Sequence, residues 1–75
     1  MHLHQKDLPA LFKEVRRQLS LSQEGLAREL GVSFATVNRW ENAKVKPSKL
    51  AMAQFESFCL KMMKQGKLDL PEVPK

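Results

Sequence analysis

The chain has 75 residues, enough for one small domain and too few for a deep enzyme cleft with a lid. Its formal net charge of +5 favours a polyanionic partner, most commonly nucleic acid, although charge alone does not separate DNA from RNA or an anionic membrane. A single cysteine, Cys59, excludes an internal disulfide and fits a reducing compartment.

The amino end of the sequence does not have the pattern of a targeting segment. Asp7 and Pro9 interrupt the apolar core that a signal peptide needs, and no apolar run is long enough to cross a bilayer. We therefore expect a cytoplasmic protein. His2 and His4 have no further ligand nearby, so a frayed terminus is favoured over a metal site.

The first predicted helix carries apolar residues at spacings of three and four, which place them on one helix face. Asp7 is suited to cap its amino end, and Pro9 is tolerated in its first turn. Polar residues occupy the opposite side. The pattern indicates a structural, amphipathic helix with a buried stripe of Leu8, Leu11, Phe12, Val15 and Leu19.

A second and a third helix are predicted on either side of one glycine. Ser22 can cap the second helix, and Ser33 can cap the third, which covers residues 34–41. Gly31 supplies the backbone freedom for a left-handed stop between them. Gly25 costs the second helix about 1 kcal/mol relative to alanine, so packing is expected to hold that helix.

A fourth helix is predicted from Lys49 to Lys64, after an exposed basic loop over residues 43–47. Ser48 can cap it, and Gly66 is suited to stop it. The remaining residues, 67–75, contain prolines and are predicted to be extended or frayed. Apolar residues cover more than one face of this helix, which exceeds what one small core requires: Leu50, Ala53, Phe55, Phe58, Cys59, Met62 and Met63.

Two short helices joined by a tight turn that contains glycine are typical of a helix-turn-helix. Spacing, size and polarity agree across this region in one set of residues: Gln23, Leu26, Ala27, Gly31, Val32, Val37, Trp40, Glu41 and Asn42. This set resembles the helix-turn-helix of phage repressor and Cro-type regulators, the xenobiotic-response-element (XRE) family. The resemblance spans about residues 8–58. Two residues depart from it. The family usually has a charged helix former at the position of Gly25, and a glycine is common at the position of Ala43.

The resemblance implies an all-α, lambda repressor-like fold of four or five helices, with the helix-turn-helix at helices two and three. We expect one domain over residues 1–75, with a core at about 7–65 and a tail over 66–75. The hypothesis is a duplex DNA-binding transcriptional regulator that binds an inverted repeat as a homodimer, and that either represses by blocking polymerase or regulates by occupancy.

The outer face of the third helix is predicted to read bases. Its 3.6-residue period directs Val37 and Trp40 inward, and in proteins of this class the opposite face enters the major groove. Arg39 can pair with guanine, Asn38 can address adenine, and apolar side chains suit a thymine methyl. Packing as an N-terminal staple is the alternative for Phe34. The predicted base-reading residues are Phe34, Ala35, Asn38 and Arg39.

Phosphate contacts position a protein on DNA without reading sequence. Gln23 resembles the family glutamine that holds a phosphate beside a helix N-terminus. Arg16 and Glu41 match a family pair that bridges helix one to the end of helix three; two independent exposed charges are the alternative. The predicted phosphate contacts, among which the lysines could also serve solubility alone, are Gln23, Ser33, Thr36, Asn42, Lys44, Lys46 and Lys49.

Nothing in the sequence supports catalysis, because it has no nucleophile set, phosphate loop or paired carboxylates in a cleft. We predict no cofactor and no metal ion, and Cys59 is expected to be an inert core thiol. The surplus apolar residues are predicted to form a dimer face, with closure of the monomer core as the competing explanation: Phe55, Phe58, Met62, Met63, Leu68 and Leu70.

Two other functions stay open. The chain could be an antitoxin or adaptor whose fourth helix and tail bind a partner protein, with DNA binding secondary. It could also be the DNA-binding fragment of a larger protein. RNA binding is less favoured, because the sequence lacks an aromatic platform for unpaired bases.

Overall fold

The computed structural model describes residues 8–70, which contain four α-helices and no strand. The helices are α1 (Leu8–Leu19), α2 (Gln23–Leu30), α3 (Phe34–Glu41) and α4 (Lys49–Lys64). The predicted all-α class is confirmed. No helix within residues 8–70 has the length and apolar character to span a membrane. The predicted cap Asp7 and the two terminal histidines, His2 and His4, lie outside the described residues.

Serines begin three of the helices, as their positions predict. Ser22, Ser33 and Ser48 each accept, through Oγ, a hydrogen bond from the backbone N–H three residues further on, at 2.9, 3.1 and 3.1 Å. Each serine has extended backbone angles, so the chain enters its helix from outside. These caps satisfy N–H groups that a helix leaves without partners.

One motif ends all four helices of the described region. A residue with positive φ follows each helix, and the N–H of the next residue donates to the carbonyl five positions earlier, at 2.9 to 3.0 Å. Gly31 and Gly66 take this conformation at φ 73° and 72°, whereas Ser20 and Ala43 take it at 55° and 58°. Ala43 therefore forms the same left-handed turn as the two glycines, although this conformation costs a residue with a Cβ atom about 1 kcal/mol.

Phe12 lies at the centre of the core, fully buried. Its ring stacks on Trp40 at a centroid distance of 5.2 Å and tilts against Phe55 at 4.5 Å. One side chain of α1 thus joins α3 to α4. The buried core residues are Leu8, Leu11, Phe12, Val15, Leu26, Ala27, Leu30, Val37, Trp40, Phe55, Cys59, Leu68 and Leu70.

Gly25 is explained by close packing at the start of α2. A Cβ atom at this position would lie 3.2 Å from Cδ2 of Leu21 and 3.3 Å from Oγ of Ser22. The missing side chain leaves room for the incoming turn and for the serine cap, which offsets the low helix propensity of glycine.

The segment after α4 packs against the core, so of the two predicted alternatives, an extended or a frayed tail, fraying is wrong for residues 67–70. Leu68 and Leu70 are buried. Between them, the Asp69 N–H donates to Oε1 of Gln18 at 2.8 Å, and Nε2 of Gln18 donates to the Asp69 carbonyl at 3.0 Å. Residues 71–75 lie outside the described part of the chain.

This packing also corrects the predicted dimer face. Phe55, Leu68 and Leu70 are buried inside the monomer, so they offer no surface to a second copy. Phe58, Met62 and Met63 are half-buried and pack against the same core. The competing explanation, closure of the monomer core, therefore accounts for Phe55, Leu68 and Leu70.

Candidate nucleic-acid interface

The predicted base-reading residues lie together on the outer face of α3. Phe34 is 52% exposed, Ala35 and Arg39 are exposed, and Asn38 is half-buried. Phe34 therefore keeps half of its surface free. On the opposite face Val37 is fully buried and Trp40 nearly so, which fixes the rotation of the helix.

Arg16 and Glu41 form a bidentate ion pair between α1 and the last residue of α3. The Arg16 Nε donates to Oε2 of Glu41 at 2.7 Å, and Nη2 donates to Oε1 at 2.8 Å. The third nitrogen, Nη1, donates to the Leu21 carbonyl at 3.1 Å. Arg16 thus ties the end of α3 to α1 and to the turn that precedes α2.

The Glu41 side chain is only 1% exposed, so its ionisation needs compensation. Burial opposes the charged form, but hydrogen bonds from Arg16 and Gln23 outweigh it and hold the pKa of Glu41 below its ordinary value. Glu41 is accordingly a carboxylate at neutral pH. A buried carboxylate is a strong acceptor that can organise the polar groups around it.

Three amide side chains continue outward from Glu41, and we call Gln23, Asn38 and Asn42 the amide chain. The Gln23 Nε2 donates to Oε1 of Glu41 at 3.0 Å, and the Asn38 Nδ2 donates to Oε1 of Gln23 at 3.0 Å. The Asn42 Nδ2 donates to Oδ1 of Asn38 at 3.1 Å and to its carbonyl at 3.0 Å. The amide chain joins the amino end of α2 to the exposed face of α3.

Sequence reasoning identified the members of the amide chain separately and missed their connection. Asn38 and Asn42 are four residues apart on one helix, a spacing at which polar side chains form hydrogen bonds. The sequence could therefore have predicted this contact. The Gln23–Asn38 contact arises from the crossing of α2 and α3, which no local pattern predicts.

The remaining phosphate candidates fall into two groups. Lys44, Lys46 and Lys49 are exposed in the loop after α3 and the first turn of α4, and within residues 8–70 no carboxylate lies within ion-pairing distance of them. The Oγ of Ser33 and the Oγ1 of Thr36 lie 2.9 Å apart at the start of α3. In the sequence, the hydroxyl group lies at the start of α3 and the lysines follow its end.

Cys59 is fully buried, and burial together with Glu56 raises the pKa of its thiol to about 12. The protonated thiol behaves as a core residue. Within residues 8–70, no three histidine, cysteine, aspartate or glutamate side chains converge as metal ligands would.

The helix-turn-helix family model matches residues 12–59, well over half of the chain. The chain belongs to the XRE-type helix-turn-helix family. Searches of curated protein sequences and of solved structures returned no match. The matched residues run from α1 into α4 and include the Arg16–Glu41 pair and the amide chain. This family is one of DNA-binding regulatory domains, so the surface described above belongs to a DNA-binding helix-turn-helix.

Proposed function

We propose that the protein is a sequence-specific transcriptional regulator that inserts α3 into the major groove of duplex DNA and represses by occupying its site. The observation that carries this proposal is the outer face of α3, where Phe34, Ala35 and Arg39 are exposed on a helix held by Val37 and Trp40. A rigid helix with an exposed arginine is suited to reading base edges.

The direct test is selection of bound duplexes from a random DNA pool. A defined consensus is expected for the wild type, and Arg39→Ala should relax one position of it, at a cost of about 1–3 kcal/mol. Arg28→Ala, at an exposed position of α2, is the matched control and should retain the consensus. Failure of the wild type to enrich any sequence would contradict the proposal.

We assign the phosphate contacts to Gln23, Ser33, Thr36 and Asn42 and to the three lysines that follow α3. Replacing Lys44, Lys46 and Lys49 together with alanine should flatten the salt dependence of DNA binding, by about one unit of slope for each lost contact. Replacing Lys61, Lys64 and Lys67 together with alanine, near and just after the end of α4, removes the same charge elsewhere and is the matched control. An unchanged slope in the triple variant would remove the lysines from the interface.

The protein is further proposed to bind an inverted repeat as a homodimer, because one small module buries too little surface for tight specific binding. With Phe55, Leu68 and Leu70 in the core, α4 still offers a partner the half-buried Phe58, Met62 and Met63 and two exposed leucines. Leu50 is 70% exposed and Leu60 39%. Sedimentation that shows only monomer at high concentration, with a consensus lacking symmetry, would contradict the dimer.

The same two leucines also favour the second candidate, an antitoxin or adaptor whose α4 binds a different protein. Replacing Leu50 and Leu60 with glutamine separates the candidates. Loss of self-association together with weaker binding to the full inverted repeat supports the homodimer. Unchanged binding to the inverted repeat, with loss of a copurifying protein, supports the adaptor.

A further inference from the structure

Phe34 is an aromatic side chain that the fold leaves outside the core. It is 52% exposed, whereas Phe12, Phe55 and Trp40 are buried. The aromatic ring contacts of residues 8–70 join those three side chains to one another and do not include Phe34. Half of the surface of Phe34 is therefore available to a partner.

The position of Phe34 determines which part of DNA its ring would meet. Phe34 is the first residue of α3, and the Thr36 N–H donates to Oγ of Ser33 at 3.1 Å, which fixes the helix where it begins. In proteins of this class, the amino-terminal residues of the second helix of the motif contact base edges in the major groove. An apolar side chain contacts the C5-methyl group of thymine there.

A phenyl ring can recognise this methyl group without recognising the rest of the base. Thymine places an O4 acceptor beside its methyl group, whereas cytosine places an N4 amino group at the same point. The Phe34 side chain has no strong donor or acceptor with which to tell these two groups apart. Because 5-methylcytosine carries its methyl group on the same ring carbon as thymine, it offers Phe34 the same contact.

We propose that Phe34 reads the C5-methyl group of a pyrimidine, and that 5-methylcytosine can therefore replace thymine at the position it contacts. This inference deepens the proposed function and rests on α3 lying in the major groove. Burial of one methyl group against an apolar side chain changes affinity about fourfold. Methylation of a cytosine at this position would accordingly strengthen binding by that factor, so DNA methylation would regulate occupancy of the site.

The test replaces each thymine of the selected consensus in turn by uracil, which removes one methyl group and keeps the pairing with adenine. At least one replacement should weaken binding by the wild type about fourfold. At that position, duplexes with 5-methylcytosine and with cytosine are then compared. The methylated duplex should bind about fourfold more tightly, because these two duplexes also differ by one methyl group only.

Three variants assign the effect to the ring. Phe34→Ala should bring both affinity ratios close to one, whereas Phe34→Leu keeps an apolar side chain and should still prefer the methyl-bearing duplexes. Val45→Ala is the matched control, because it removes an apolar side chain that is 47% exposed in the loop after α3. It should leave both ratios at the wild-type value. Each ratio compares two duplexes with one protein, so a variant of lower overall affinity still gives a result.

Three outcomes would overturn this inference alone and leave the consensus intact. They are the absence of any effect of uracil in the wild type, equal binding of the cytosine and 5-methylcytosine duplexes, and fourfold ratios that persist in Phe34→Ala. If Phe34→Ala does not fold, the wild-type ratios and Phe34→Leu still decide. A wild type that enriches no sequence would overturn the proposed function as well.

Discussion

Two adjacent arginines of α1 form ion pairs with the same local geometry in different surroundings. Arg16 holds Glu41 at 2.7 and 2.8 Å, and Arg17 holds Glu14 at 2.9 and 2.7 Å. The side chains of Arg16 and Glu41 are 24% and 1% exposed, against 71% and 40% for Arg17 and Glu14. Distance does not distinguish the pairs, whereas burial does, because water can replace the partner only in the exposed pair.

The pairs also differ in what they connect. Arg17 and Glu14 are three residues apart on one helix, so their contact adds nothing to the tertiary fold. Arg16 and Glu41 are separated by 25 residues and join α1 to the end of α3, where the amide chain begins. Only the buried pair therefore bears on the position of α3, the helix that is proposed to enter the major groove.

The largest expected effect is that of Arg16→Ala. It leaves the Glu41 carboxylate buried without its cation, and we expect the free energy of unfolding to fall by about 3 kcal/mol. The adjacent replacement, Arg17→Ala, is the matched control and should leave stability nearly unchanged. Urea unfolding followed by circular dichroism measures both. Equal losses in the two variants would show that burial does not separate the pairs.

A smaller loss is expected for Glu41→Ala, because the released Arg16 is 24% exposed and still donates to the Leu21 carbonyl. The double variant Arg16→Ala, Glu41→Ala should likewise be more stable than Arg16→Ala alone, since it removes the uncompensated charge. Thermal melts of the two single variants and the double variant measure this order. A double variant less stable than Arg16→Ala would contradict the account.

The third prediction concerns acid. The pKa of Glu41 is lowered in the folded state, so its contribution to stability is present above the unfolded pKa of about 4.3 and is lost as pH falls through the folded value. The stability difference between wild type and Glu41→Gln should therefore shrink as the pH is lowered from about 5. A constant difference over that range would contradict the assignment.

Glu14 supplies the control for the acid experiment. Hydrogen bonds from Arg17 and then Gln18 lower the pKa of Glu14 to about 2, yet the pair is exposed and salt screens it. Added salt should therefore remove most of the acid dependence that Glu14→Gln abolishes, and little of that linked to Glu41.

The contrast between the pairs also shows how far sequence reasoning reaches. Arg16 and Glu41 match a family pattern, and the serine caps at Ser22, Ser33 and Ser48 are local signals that need no tertiary information. The bounds of the helices follow from such signals. The Gly31 turn is predictable for the same reason, since its conformation is favoured by the residue itself.

The remaining features depend on contacts that a sequence pattern does not encode. Gln18 and Asp69 are 51 residues apart, and no periodicity relates the polar side of α1 to a short irregular segment. The direction of the Asn38 amide depends on Gln23 and Asn42 together, and therefore on the angle between α2 and α3. Outward position was predictable for Asn38, whereas its hydrogen bond to Gln23 was not.

The smallest expected effect is a change in hydrogen exchange that separates Glu14→Ala from Arg17→Ala, the two single variants of the exposed pair. Besides Arg17, the Glu14 carboxylate accepts from Nε2 of Gln18 at 2.8 Å, and Gln18 holds the backbone of Asp69. Glu14→Ala should therefore leave global stability nearly unchanged but speed hydrogen exchange at the Asp69 amide, because Gln18 loses the contact that orients it. Arg17→Ala keeps the Gln18–Glu14 bond and should not change that exchange rate. Faster exchange at Asp69 in both variants, or in neither, would show that the exposed pair is not connected to the tail through Gln18.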